Sequence, residues 1–367
     1  MKAPFFRLKE QHHHLMENII KKIENVFETE RFILGPLVEK FESRFASMMG
    51  VKHAIGVNSG TDALMLSLRL LDLQPENEVI IPVFSYISVA EVVLRVGATP
   101  VFVDVDPMTG LIDLSKVEAA VTENTRAVIP VHLYGKAVNM ISLMEIARKH
   151  NLAVIEDCSH ATGAQFHGRK LGTYGITGCF SFYPTMNLGG VGDGGMILTD
   201  HDEYAARLRK FREHGRIDNV YYDEIGYNSR LDAIQAAVLT VKMEELEDSN
   251  AEKIENARFY NKYFAEANAV LPEIQDDFSH VFNMYTLQVA QRDALEIYLK
   301  EKKIGCAIYY PLPLHLQPCF DFFEYKEGDF PQAEQLCKRV ISLPVFPGLK
   351  RQEIQFVAQA VLDFLKA

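Results

Sequence analysis

Ala54-Ile55-Gly56-Val57-Asn58-Ser59-Gly60-Thr61-Asp62-Ala63-Leu64 is the stretch on which the fold turns. Its first four residues are a short apolar run that reads as a buried strand. A helical apolar pattern then begins near residue 60, with Ser59 and Thr61 as candidate caps. The same alternation continues downstream. Further short β-rich runs lie at Val79-Ile80-Ile81, Pro100-Val101-Phe102-Val103, Ala127-Val128-Ile129 and Leu152-Ala153-Val154-Ile155. Helical patterns lie between them, near residues 60–71, 86–96, 113–120 and 139–150. Strands that are apolar throughout and separated by helices imply an α/β fold with a large, doubly wound, mostly parallel (mixed) sheet covered on both faces.

Upstream, two amphipathic helices are expected over about 13–28 and 36–49. Downstream, two strands are expected near 178–182 and 195–199, then long helices from about Leu231 to Glu247 and over 250–266. The remainder mixes a strand at Thr286-Leu287-Gln288-Val289 with helices at 292–303, 331–340 and 351–365. It reads as a smaller C-terminal α+β domain.

The chain has 367 residues, with 38 Lys+Arg against 49 Asp+Glu and a formal net charge of −11. This acidic balance argues against nucleic acid as a partner, which needs a basic surface. No apolar run approaches the ~20 residues that span a bilayer, so no membrane partner is expected. Five cysteines, Cys158, Cys179, Cys306, Cys319 and Cys337, have no C-x-x-C spacing and read as reduced thiols in a cytoplasmic protein. No metal site is expected. The run His12-His13-His14 opens a helical pattern and reads as a solvated face.

In open α/β sheets, ligands bind beyond the carboxyl ends of the strands. That rule selects Asn58-Ser59-Gly60-Thr61, Asp104-Val105-Asp106 and Glu156-Asp157 before any motif is considered. Ser59-Gly60-Thr61-Asp62 suits either a phosphate at a helix start or an ordinary cap. Glu156-Asp157 suits either a partner for a protonated ring nitrogen or a plain strand end. Tyr86 suits either stacking on a ring or packing. Gly190-Val191-Gly192-Asp193-Gly194-Gly195 has the G-x-G-x-x-G pattern but leads into a strand, not a helix, so it is read as a flexible turn. A phosphate site, an aromatic face and a carboxylate at successive strand ends together suit one planar phosphorylated cofactor, and pyridoxal phosphate has that shape.

The chain resembles the DegT/DnrJ/EryC1/StrS family of sugar aminotransferases over nearly its whole length. The resemblance rests on ordered blocks. These are Gly35-Pro36 with Phe41-Glu42, Gly56 to Leu64, Gly97 to Asp106, Ile129-Pro130-Val131-His132-Leu133-Tyr134-Gly135 and Ile155-Glu156-Asp157-Cys158-Ser159-His160-Ala161. They continue with Phe180-Ser181-Phe182-Tyr183-Pro184-Thr185, Gly226-Tyr227-Asn228-Ser229-Arg230-Leu231 and Tyr310-Pro311-Leu312-Pro313-Leu314-His315.

The resemblance implies the fold type I architecture of aspartate aminotransferase. Residues 1–250 would be the large cofactor domain and 251–367 the small one. The implied activity is amino transfer from glutamate (or glutamine) to a keto- or aldehydo-sugar, commonly nucleotide-linked, for lipopolysaccharide or other surface polysaccharides. The implied cofactor is pyridoxal 5′-phosphate or pyridoxamine 5′-phosphate. Gly60, Thr61 and Ser181 would bind its phosphate, Tyr86 would stack on its ring, and Asp157 would pair with its ring nitrogen. His160 would lie near its phenolic oxygen. Asn228 would reach the phosphate of a neighbouring subunit, which implies a homodimer with shared active sites. Arg230, Tyr310 and His315 are candidates for the sugar side, with Arg216 a further cation there.

One position departs from the pattern. After Tyr183-Pro184-Thr185 the family has the Schiff-base lysine, and this chain has Met186. A thioether matches lysine in length but carries no amine and moves no proton. Three readings follow: an inactive, ligand-trapping variant of an aminotransferase, a pyridoxamine-dependent sugar dehydratase, and a non-catalytic ligand-sensing protein of the same fold.

Overall fold

The computed structural model describes residues 1–274 and 279–366. Eleven strands occur among these residues. They are β1 His53–Val57, β2 Glu78–Pro82, β3 Thr99–Val103, β4 Thr125–Val128, β5 Ala153–Asp157, β6 Gln165–Phe166, β7 Arg169–Lys170, β8 Thr177–Ser181, β9 Gly195–Thr199, β10 Tyr285–Gln288 and β11 Val340–Leu343. Seven of them form one sheet in the order β1-β9-β8-β5-β4-β2-β3. The pairs β2–β3, β2–β4, β4–β5 and β5–β8 are parallel. β9 alone runs the other way, antiparallel to both β1 and β8. The fold is therefore α/β with a mixed sheet, as the alternating pattern implies.

The strand sequences explain this arrangement. β9, Gly195-Met196-Ile197-Leu198-Thr199, is buried at every position, as a strand covered on both faces must be. The glycine run before it is a connection between β8 and β9. A Cβ on Gly195 would stand 2.3 Å from the Ser59 carbonyl oxygen, so only glycine lets β9 pass that backbone. Helices Pro36–Met49 and Gly60–Arg69 each bury an apolar face on the sheet. Phe41, Phe45, Phe180 and Phe182 interlock there with ring centroids 5.4–5.9 Å apart.

β1 is an edge strand, and side chains satisfy the outward backbone groups of Gly56. Glu42 Oε1 accepts the Gly56 N–H at 2.7 Å, and Arg212 Nη1 donates to the Gly56 carbonyl at 3.0 Å. The two side chains also pair with each other at 2.5 Å, both buried. Deleting either would leave a buried, unpaired charge, at a cost of about 3–5 kcal/mol.

A second core gathers Ala3 with residues from Ile254 to Val361 around the antiparallel β10–β11 pair. Several residues between Val281 and Val340 pack instead on the first core. The helices near 231–266 differ from expectation. One spans Ala233–Lys242, a 3-10 turn covers Met243–Glu245, and the next helix spans Leu246–Tyr263. Expectation also missed the helix Asp202–Phe211, whose buried residues are only Ala205, Leu208 and Phe211. It also missed β11, and ran the preceding helix to 340, one residue past Arg339, where it stops.

Candidate active site

Three chain turns meet at the carboxyl ends of β1, β5 and β8. Ser59, in extended backbone, caps the helix Gly60–Arg69 by accepting the Asp62 N–H at 3.1 Å. This leaves the N–H groups of the first turn facing outward, a natural seat for an anion. Gly60 is tightly held, since a Cβ there would lie 2.8 Å from the Ser181 Cβ and 3.3 Å from the Ser159 hydroxyl. Gly60, Ser159 and Ser181 thus form one small-residue wall, with Thr61 half-buried beside it. Ser229 closes the far side, donating to Asp62 Oδ2 at 2.7 Å and accepting the Asn58 N–H.

Asp157 ends β5 on this side and is 6% exposed. Its Oδ1 accepts the Ser159 N–H at 3.0 Å. Burial raises its pKa above the usual carboxylate range, against the pull of the Ser159 hydrogen bonds. It forms no salt bridge among the described residues, so a cation beside it would meet an uncompensated carboxylate.

Its neighbour Glu156 points to the other face, as strand alternation requires. That carboxylate accepts N–H groups from Gly172, Tyr174 and Gly175 at 2.7–2.9 Å and lies 3.3 Å from His132 Nε2. His132 Nδ1 accepts the Val138 N–H, so its proton is on Nε2 and is given to Glu156. With Cys158, these two side chains place three ligand-type atoms within 4.8 Å of one another. The imidazole has no free lone pair, however, and the carboxylate is already occupied by backbone donors. The cluster is a structural anchor for the 172–175 loop.

His160 is buried, and its Nδ1 accepts the Tyr134 N–H at 3.2 Å, which puts the ring proton on Nε2. Burial lowers its pKa to about 4, so the ring is a neutral N–H donor at pH 7. The sign of the linkage follows. Between pH 6.5 and 4 the unfolded chain takes up a proton that the native ring refuses, so this site lowers stability as pH falls through that window. Urea unfolding at pH 7 and pH 5 should show a loss of up to about 1.4 kcal/mol per pH unit from this site. A His160→Gln variant should lose that share of the pH slope, and an unchanged slope would show that the ring titrates normally.

Tyr86 is 58% exposed, and its ring centroid lies 6.3 Å from that of Tyr310, which also packs on Phe84. Burial raises the Tyr310 phenol, with the Asp157 charge the next contribution, so this ring belongs to the same neighbourhood. His315 is set apart, with Nε2 3.1 Å from Glu334 and its ring against Phe330 at 4.7 Å. Asn228 is exposed, and Arg230 holds a buried Nε with no partner among the described residues. Arg216 is 3.8 Å from Glu213 at the surface.

Met186 sits in the turn after β8, its N–H bonded to the Tyr183 carbonyl at 2.9 Å. It is half-buried and lines a cavity of about 550 Å³ that does not include Asp157 or Thr61. A polar network that sequence reading missed holds this turn. Asn187 Oδ1 accepts from Lys253 Nζ at 3.1 Å and Asn283 Nδ2 at 2.9 Å, while its Nδ2 donates to Asn250 Oδ1 at 2.7 Å and to the Val281 carbonyl. The four residues come from three separate segments, Asn250 and Lys253 sharing the helix Leu246–Tyr263, and no spacing in the sequence links the three.

The sequence profile of the DegT/DnrJ/EryC1/StrS aminotransferase family matches residues 13–362. A pleiotropic regulatory protein of Geobacillus stearothermophilus is 43% identical over 100% of this chain and 99% of its own. A UDP-N-acetyl-3-dehydro-α-D-glucosamine 3-aminotransferase of Acidithiobacillus ferrooxidans is also 43% identical, covering 95% of this chain and 94% of its own. The crystal structure of DesV from S. venezuelae, in complex with a ketimine intermediate, superposes with a TM-score of 0.97 at 38% identity, over 100% of this chain and 99% of that one.

Proposed function

The chain belongs to the DegT/DnrJ/EryC1/StrS aminotransferase family, and from that premise we propose that it is built as a nucleotide-sugar aminotransferase in which Met186 replaces the amine-bearing lysine. Its cofactor is pyridoxal 5′-phosphate or pyridoxamine 5′-phosphate, and its amino donor is glutamate or glutamine. The observation that carries this reading is Asp157, a buried carboxylate without a salt-bridge partner among the described residues, near a helix start walled by small residues.

The residues present suit such a group. The first turn of Gly60–Arg69, with Thr61 and Ser181, would hold a phosphate against the helix N-terminus. Asp157 would keep a ring nitrogen protonated, and the Nε2–H of His160 would donate to a phenolic oxygen. The exposed face of Tyr86 would cover the ring. When bound, the cofactor supplies an electron sink for charge left on the substrate carbon. Met186 has no amine to anchor it or to carry the proton, so this chain binds without turning over. Asn228 lies exposed near Ile217, Val220, Tyr221, Tyr222 and Ile225, all at least 55% exposed. A second copy covering that apolar surface would bring Asn228 to its partner's site, which supports a homodimer.

The test is ligand addition to the chain as it stands. Pyridoxamine phosphate at a hundred times its Kd should stabilise the protein by about 2.7 kcal/mol, read as a shift in thermal unfolding and checked by equilibrium dialysis. No binding of either cofactor form would end this reading. A ligand-sensing role on the same fold is favoured by Met186 together with the regulatory name of the Geobacillus relative. It predicts cofactor or sugar binding without turnover even after an amine is restored at position 186.

A further inference from the structure

The cavity lined by Met186 has chemistry that the cofactor reading does not use. Lys253, on the Leu246–Tyr263 helix, is 6% exposed, and its Nζ meets a single neutral acceptor, Asn187 Oδ1, at 3.1 Å. Lys242, at the end of the preceding helix, gives its Nζ to the Gly189 carbonyl. His12 enters from the N-terminal segment, with its Nε2 buried and unpartnered among the described residues. Neither lysine has a carboxylate partner among the described residues.

Two of the four acids on the wall are paired with cations, and a third holds a backbone N–H. Glu10 pairs with Arg7 at 3.2 Å, Glu245 with His14 at 2.7 Å, and Glu252 accepts the Gly348 N–H at 2.7 Å. Asp248 is exposed at the rim. Buried amines facing one another without an anion are unfavourable, and their titration reflects it. Burial holds Lys253 down at about 7, with the Lys242 charge adding to it, and burial holds Lys242 down at about 8. Burial and Lys242 hold His12 at about 4. Leu8, Leu15, Phe346 and Pro347 form the apolar part of the wall.

We propose that this cavity binds a phosphoryl-bearing organic anion, its phosphoryl group between Lys253, Lys242 and His12 and its organic part along the apolar wall. At about 550 Å³ the space exceeds a bare phosphate and suits a nucleoside diphosphate. The same phosphoryl chemistry would come from the nucleotide end of a sugar substrate or from a free nucleotide. The link to a sugar substrate rests on the aminotransferase reading, and the anion site does not.

The experiment titrates UDP, dTDP and inorganic phosphate into the full chain by calorimetry, then into Lys253→Met and Lys242→Met, with circular dichroism and thermal melts to check folding. UDP or dTDP should bind, and each variant should weaken that binding at least about tenfold, with pyridoxamine phosphate binding unchanged in Lys242→Met. Because Lys253→Met also removes a clamp on Asn187, Lys242→Met decides the outcome should the first variant misfold. Competition by a UDP-linked amino-sugar for both UDP and pyridoxamine phosphate would identify the substrate as the source. Competition for UDP alone would identify a free nucleotide. The proposal is overturned if no phosphoryl compound binds, or if binding is the same in Lys242→Met as in the parent. Loss of cofactor binding with intact, Lys242-dependent UDP binding would remove the aminotransferase reading and leave this site standing.

Discussion

Met186→Lys should turn the protein into an active aminotransferase. With pyridoxal phosphate added, the variant should gain a visible absorption band that the parent lacks. With an amino donor and a nucleotide-linked keto-sugar, it should turn over at least about 10²–10⁴-fold faster than the parent, the usual contribution of a placed acid–base group. The turn can accept the change. Its backbone is held by the Met186 N–H to Tyr183 and by the Asn187 network, neither of which uses the residue 186 side chain. Lysine and methionine have similar length and no branching, and the position is half-buried beside a cavity. A folded Met186→Lys protein with neither band nor turnover would show that position 186 does not face the reacting centre.

The second large effect is expected at Asp157. In the Met186→Lys background, Asp157→Ala should lower kcat about 10²–10³-fold, the scale for removing one aimed electrostatic partner. Asp157→Asn tests charge against shape, since it keeps the outline and loses the anion. Because burial already strains the Asp157 carboxylate, neither replacement should lower the melting temperature substantially. Activity lost at constant stability would mark Asp157 as a partner of the cofactor. Activity retained in Asp157→Asn would dismiss that role. Glu156→Gln should behave in the opposite way. It places an amide where three backbone N–H groups converge and should unfold the 172–175 loop before it touches chemistry.

These two carboxylates show how much of the site the sequence could reveal. Both stand at a strand end, and only the family resemblance separates them in the sequence. Strand alternation puts them on opposite faces, but which face holds a ligand depends on what packs there. Gly172, Tyr174 and Gly175 fill one side, and the Ser159–Ser181 wall leaves the other open. The sugar-side candidates divide in the same way. Tyr310 sits with Tyr86 and Asp157, whereas His315 is tied to Glu334 and Phe330.

Local letters settled the periodicity of this chain. Short, β-branched continuous apolar runs such as Val79-Ile80-Ile81 read as strands buried on both faces, and the helical patterns between them make those strands parallel. Position 186 is also a matter of sequence alone, because a missing amine is missing in any fold. Tertiary structure decided the rest. It set the reversed direction of β9, the Glu42–Arg212 clasp on the edge strand, the Asn187 network, and the meeting of His12, Lys242 and Lys253 in one cavity. Each of these joins residues far apart in the chain. Their energies come from burial and from mutual charge, which exist only once distant segments exclude water together.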